Sequence, residues 1–203
     1  MTGFQIVSLK DMIEELGESE VKSRLSAFYC PLNFDIEYFL KNKAIEFAKQ
    51  QIAPTRLVFA SYKGDLVLCG YFTIATKSFV VSKNNVSSNT FKRLKKFGTY
   101  DEVSKKCSIP APLIAQLGKN FQNGYDKLIS GDELLTLACN EVKKVQYIIG
   151  GKVVYIECED KSRLLQFYER NGFKSFGKRN LDKDERDKLD GEYLVQMLKY
   201  LED

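Results

Sequence analysis

The sequence predicts an α/β protein whose mixed β-sheet is flanked by helices. Three observations carry that expectation. Stretches rich in β-branched and aromatic residues alternate with amphipathic helical segments along 203 residues. Residues 55–82 read as a hairpin, "TRLVFASY" joined through "KGD" to "LVLCGYFTIATKSFVVS", which requires antiparallel pairing. After Pro110 the chain runs strand, helix, strand, an order that favours parallel pairing.

Taken in order, "FQIVSL" alternates and suits a first strand, and "DMIEEL" and "SEVKSRLSAF" follow as two short helices. "FDIEYFLKNKAIEFAKQQ" reads as one longer helix capped by Asp35 and ended by Pro54. It places Ile36, Phe39, Leu40, Phe47 and Ala48 largely on one face. Inside the hairpin, Gly70 marks a bulge or a close backbone approach. Residues 84–107 turn polar and basic and read as an insertion between strands. Ser88 or Asn89 caps a short helix there, and Gly98 closes it. An apolar strand "IPAPLIAQLGKN", the turns of "FQNGYDKLIS" and the helix "GDELLTLACNEVKKVQYI" come next. The strand "GKVVYIECE", the helix "KSRLLQFYERNG" and two strands, "FKSFG" and "EYLVQMLKYL", complete the order. A strongly charged connection, "KRNLDKDERDKLDG", separates those last two.

A 44% hydrophobic and 29% charged composition is that of an ordinary soluble domain, and the length suits one domain spanning 1–203. A net charge of +4 is too small to argue for nucleic acid by itself. The opening residues turn acidic before any apolar run forms, and no uncharged stretch has membrane-spanning length, so the cytoplasm is the expected compartment. The five cysteines are scattered, with no CxxC pair, and there is no histidine. Zinc sites built on histidine, Ser-His-Asp triads and Cys-His pairs are thereby excluded, and no metal is expected. Acid–base work must fall to Tyr, Asp, Glu, Lys, Cys or water.

The element order together with "QFYERNGF" resembles the GNAT superfamily of acyl-CoA-dependent N-acyltransferases across nearly the whole chain, the 84–107 segment apart. The resemblance implies that residues 113–119 form the strand bordering the pantetheine arm, and 126–131 the phosphate turn. Residues 131–147 form the helix behind that turn, and Tyr168 with Gly172-Phe173 the end of a later helix. It implies acetyl-CoA as acyl donor, held at Leu117, Gly118, Lys119, Lys127, Ile129, Ser130, Gly131 and Asp132, and a primary amine as acceptor. A main-chain amide near 117–119 would meet the oxyanion. The turn departs from the family's Gln/Arg-x-x-Gly-x-Gly/Ala pattern: Asp126, Ile129 and Gly131 stand there, so only the last glycine survives. Helix-start N–H groups bind anions whatever the side chains, but a cap from Ser130 accounts for the same residues.

Tyr168 has two readings. With Leu164, Phe167 and Asn171 on its helical face it is a core tyrosine. By the resemblance it is the general acid that protonates the departing CoA thiolate. Lys161 and Arg163 stand where many members carry a pantetheine-touching asparagine. Asp35 and Glu37 start a helix that borders the family's acceptor groove, yet capping and the helix dipole explain both, and no base is assigned. The pattern from "FYCPLNF" to "GYFTIATKSF" resembles the GNAT branch that includes toxins acetylating aminoacyl-tRNA. For such a partner Lys92, Arg93, Lys95 and Lys96 suit a phosphate backbone. Small-molecule and protein amines remain open as acceptors, and a homodimer is compatible with the resemblance. The competing class is a non-catalytic GNAT-fold partner module that has lost CoA.

Overall fold

In the computed structural model, residues 3–183, 185–186, 189 and 191–201 are described. The elements run β1 (Gln5–Ser8), α1 (Leu9–Leu16), α2 (Glu18–Ser26), α3 (Phe34–Asn42), α4 (Ala44–Lys49), β2 (Thr55–Tyr62), β3 (Asp65–Ser82) and α5 (Ser88–Leu94). They continue as β4 (Thr99–Asp101), β5 (Lys106–Lys119), α6 (Gly131–Ile149), β6 (Val153–Cys158), α7 (Ser162–Arg170), β7 (Lys174–Asn180) and β8 (Tyr193–Tyr200). This is the mixed α/β order the sequence predicts. The pairings of β1 with β2, β2 with β3, β4 with β5, β6 with β8 and β7 with β8 are antiparallel, and β5 pairs with β6 in parallel, where Leu113 faces Tyr155. No helix among the described residues is long and apolar enough to cross a membrane.

The fold has two compact units, 1–75 with 114–140, and 76–113 with 141–203; β3, β5 and α6 run from one into the other. In the first, β1 pairs with β2 and β2 with β3. The β2–β3 turn places Lys63 and Gly64 at φ 53° and 94°, the left-handed pair that a tight hairpin needs. Both readings of Gly70 hold. The register slips between Val58 and Phe59, which makes a bulge. A Cβ on Gly70 would also lie 3.0 Å from the Gly118 carbonyl oxygen.

Leu9, Leu25, Leu40 and Leu57, none above 1% exposed, close around Tyr71 in this unit. Each such leucine contributes about 1.5–3 kcal/mol of transfer free energy. The Tyr71 ring meets Phe28 edge-on at 5.3 Å, and its hydroxyl donates to the Ile36 carbonyl at 2.6 Å. That bond satisfies a hydroxyl buried with the ring, and burial raises its pKa well above the usual tyrosine value.

Three local expectations are corrected here. The long helix is two helices, broken at Lys43 (φ −120°), and its cap is Asn33 rather than Asp35. The Asn33 carboxamide oxygen accepts from the N–H groups of Asp35 and Ile36 at 2.8 and 3.3 Å. Pro54 does not end it, because α4 stops at Lys49 and Gln51 already has φ 56°.

In the second unit β6 pairs with β8, β8 with β7, and β4 with β5. The 84–107 segment buries Phe91, Leu94 and Cys107. Ser87, not Ser88 or Asn89, caps α5, with its Oγ accepting from the Thr90 N–H at 3.1 Å. Gly98 follows the short turn after α5 in extended conformation (φ −145°). It is small because a Cβ there would overlap the Ser108 carbonyl, so close passage, not a left-handed helix end, accounts for it.

Candidate functional site

The phosphate-turn candidate is built by the end of β5 and the start of α6, both in the first unit. Gly118 is buried, and a Cβ on it would overlap the Ile36 side chain in the first turn of α3. Asn120 then ends the strand. Its side-chain oxygen accepts from the N–H groups of Tyr29 and Gln122, both at 3.1 Å, while its amide donates to the Leu68 carbonyl at 2.9 Å. The loop turns through left-handed backbone at Asn123 and Gly124 (φ 52° and 76°).

Lys119 does not reach outward from this loop. Its Nζ donates to the carbonyls of Asp126 (2.7 Å) and Ile129 (3.0 Å) and so staples the turn from inside. The Ile129 side chain is buried in the core at 1% exposure, which leaves its main chain as the part able to meet a ligand. Lys127 is exposed.

At the helix start the Ser130 Oγ accepts from the Glu133 N–H at 3.1 Å, and the Glu133 carboxylate accepts from the Ser130 N–H at 2.8 Å. This is a reciprocal capping box, Ser-x-x-Glu. The Ser130 amide, backed by its hydroxyl, holds the Glu133 carboxyl below the ordinary 4.5. The box engages two amide donors that an incoming anion would use, and Asp132 adds a second acidic residue to the first turn. Gly131 sits between them, half-buried.

Tyr168 belongs to the second unit, at the end of α7. Asn171 closes the helix, Gly172 has φ +85°, and two reversed bonds seal the end: Phe173 N–H to the Tyr168 carbonyl at 3.0 Å and Gly172 N–H to the Glu169 carbonyl at 2.9 Å. That pair defines a Schellman motif, in which the residue after the glycine packs on the residue five before it. Accordingly the Phe173 ring meets the Tyr168 ring edge-on at 5.7 Å, and Phe167 meets it from another side at 4.9 Å. The Tyr-x-x-x-Gly-Phe spacing therefore has a local mechanical cause: it fixes the tyrosine ring, which is 8% exposed. At the other end of α7, Lys161 pairs with Glu159 at 2.9 Å.

The acceptor-side candidates at the start of α3 are also engaged. Burial pulls the Glu37 carboxyl up. The Cys30 N–H (2.9 Å) and Lys41 (2.7 Å) outweigh that pull, leaving it below the ordinary value. Asp35 accepts from the Gln116 amide at 3.1 Å, and the Gln116 carboxamide oxygen is buried without a partner among the described residues. Sequence reasoning missed Gln116 and Asn120, because their partners lie 81, 91 and 52 residues away along the chain. All five cysteines are buried, and none forms a disulfide among the described residues. Burial pushes the Cys69 thiol up to about 11 and that of Cys158 to about 12, so neither serves as a thiolate nucleophile near neutral pH. In the basic segment, Arg93 lies 4.0 Å over the Tyr200 ring and Lys95 3.8 Å over that of Tyr100, while Lys92 and Lys96 are exposed.

Neither a protein-family model nor a curated relative matches the sequence. Solved structures do match in fold. A tyrosine-to-phenylalanine mutant of the AtaT toxin aligns over 97% of this chain and 89% of its own, with a TM-score of 0.63 at 15% identity. AtaT complexed with acetyl-methionyl-tRNAfMet aligns over 95% of this chain and 94% of its own, with a TM-score of 0.59 at 15% identity. AtaTR bound with AcCoA aligns over 95% and 91%, with a TM-score of 0.54 at 16% identity. The chain has the GNAT fold, in the form seen in these toxins.

Proposed function

We propose that the protein is an N-acetyltransferase that moves an acetyl group from acetyl-CoA to a primary amine by direct attack. The observation that carries the reading is the fold likeness, over nearly the whole chain, to toxins solved with acetyl-CoA and with an acetylated aminoacyl-tRNA. The Schellman end of α7 supports Tyr168 as the general acid, because it holds the phenol ring in one orientation. In the proposed step the amine nitrogen attacks the thioester carbonyl, and a main-chain amide near Leu117, Gly118 or Lys119 meets the oxyanion. The carbon–sulfur bond then breaks, the Tyr168 hydroxyl gives its proton to the thiolate, and the proton shed by the attacking nitrogen passes through water to restore the phenol. Lys127 and the backbone from Ile129 through Asp132 are the proposed diphosphate contacts, with Gly131 the position where a side chain would obstruct most. Aminoacyl-tRNA is the proposed acceptor, and Lys92 and Lys96 are exposed cations of the basic segment suited to its phosphate backbone.

One observation favours the second reading, a GNAT-fold module without turnover. The capping box sets the Glu133 carboxylate on the amides at the start of α6, and a carboxylate there opposes a diphosphate. Transfer of a labelled acetyl group separates the two. Label appearing on aminoacyl-tRNA or on a small amine, and lost in Tyr168→Phe, supports the enzyme. Intact folding with no transfer to any amine supports the module.

A further inference from the structure

Lys119 leaves the end of β5 from a tied point of the first unit. Gly118 before it is buried, and after it the Asn120 N–H donates to the Cys69 carbonyl at 2.9 Å. From there the half-buried side chain crosses the loop, and its ammonium donates to the carbonyls of Asp126 and Ile129 at 2.7 and 3.0 Å. One cation thereby gathers two carbonyls just ahead of α6. In a trans peptide the N–H points opposite to the C=O. With the Ile129 carbonyl drawn to the ammonium, the Ser130 N–H faces away from it, and an anion already lies on that N–H: the Glu133 carboxylate, at 2.8 Å. The charge of the lysine is felt there. The Ser130 amide and hydroxyl hold the Glu133 carboxyl low, and Lys119 adds to their effect. Hydrogen bonds in a chain polarise one another, so a peptide whose carbonyl meets an ammonium offers a stronger donor on its far side.

We propose that Lys119 is a positioning residue of the acyl-donor site, which turns and polarises the Ser130 peptide toward the diphosphate from behind, without touching the diphosphate itself. The role rests on the acetyl-transfer reading. The need for such a device is local. Asp132 and Glu133 place two acidic residues in the first turn of α6, where negative charge opposes a diphosphate. A cation fixed on the inner side of the same turn offsets that opposition, and it stays in place when the Glu133 carboxylate gives up the Ser130 N–H to the ligand.

The test is an NMR titration of the full chain with two probes: acetyl-CoA, and acetyl-pantetheine, which ends short of the diphosphate. Lys119→Met weakens acetyl-CoA about tenfold or more, the range for losing a charged hydrogen-bonding group, and leaves acetyl-pantetheine binding unchanged. Lys119→Arg, which keeps the charge and the donors, restores most of the lost affinity. The loss persists when Lys119→Met is combined with Glu133→Gln, because the lysine acts on the peptide and not through the carboxylate. Lys119→Gln keeps an amide donor and drops the charge, and it gives the same loss where the methionine variant does not fold. Unchanged acetyl-CoA affinity in a folded Lys119→Met or Lys119→Gln variant overturns the proposal. An equal loss for both probes also overturns it, since that reduces the lysine to a structural staple of the loop. Acetyl-CoA that fails to bind the unmodified chain removes the acyl-donor reading itself, and the role of Lys119 with it.

Discussion

The start of α6 and the end of α7 are the two helix ends proposed here as parts of the site, and they are built in opposite ways. At the start of α6 the helix satisfies itself: Ser130 and Glu133 exchange hydrogen bonds, and the backbone that would hold a phosphate is engaged by its own side chains. At the end of α7 the cap presents a side chain instead. The left-handed Gly172 and the reversed bond from Phe173 hold the Tyr168 ring between two aromatic neighbours. A site made of backbone can be lost by changing two side chains, whereas a site made of one positioned side chain persists as long as its cap does.

The largest effect should come from Tyr168→Phe. If the α7 end serves catalysis, turnover falls by about 10²–10⁴-fold while acetyl-CoA affinity and the melting temperature change little. Steady-state rates, a CoA titration and a melting curve on both proteins check this. Unchanged turnover in a folded variant would reduce the cap to packing. Next is Gly172→Ala, which places a Cβ at φ +85° and should cost about 1–2 kcal/mol of stability, read by urea unfolding. A loss near zero would mean that the Schellman end does not set the tyrosine.

At the other helix end, Ser130→Ala removes the cap and should cost about 1 kcal/mol. Glu133→Gln should cost less, yet raise acetyl-CoA affinity a few-fold at low salt by removing a charge that opposes the diphosphate. An affinity unchanged by Glu133→Gln would show that the capping box does not compete with the donor.

The smallest effect concerns acid. Glu133 and Glu37 both have carboxyls held below the ordinary 4.5, so their contributions are complete above that pH and are lost as pH falls through the lower folded values. Glu37→Gln should therefore flatten the loss of stability below pH 4.5. An acid-unfolding curve parallel to that of the unmodified protein would contradict this.

What the sequence made legible was mostly local. The end of α7 could be read from "YERNGF" because its bonds span at most five residues, and the Ser130 cap was visible for the same reason. Strands and the hairpin followed from β-branched runs and the Lys63-Gly64 turn. The start of α3 was misread by two residues, since Asn33 and Asp35 are both good caps and distant partners chose between them. Tyr71, 35 residues on, fixes the Ile36 carbonyl, and Gln116 draws the Asp35 side chain away. Gly118 carries no local signal at all, because the side chain that forbids a Cβ there belongs to Ile36. The inward turn of Lys119 was hidden likewise, as its acceptors are carbonyls that only the folded loop brings together.

The central claim, that this fold still takes an acyl-CoA despite the self-capped start of α6, is tested most directly by calorimetric titration of the unmodified protein with acetyl-CoA. The account predicts saturable binding that weakens when Gly131 is replaced by valine and is little altered by Tyr168→Phe. No detectable binding by a folded, unmodified chain would contradict it and leave the non-catalytic module as the reading of this protein.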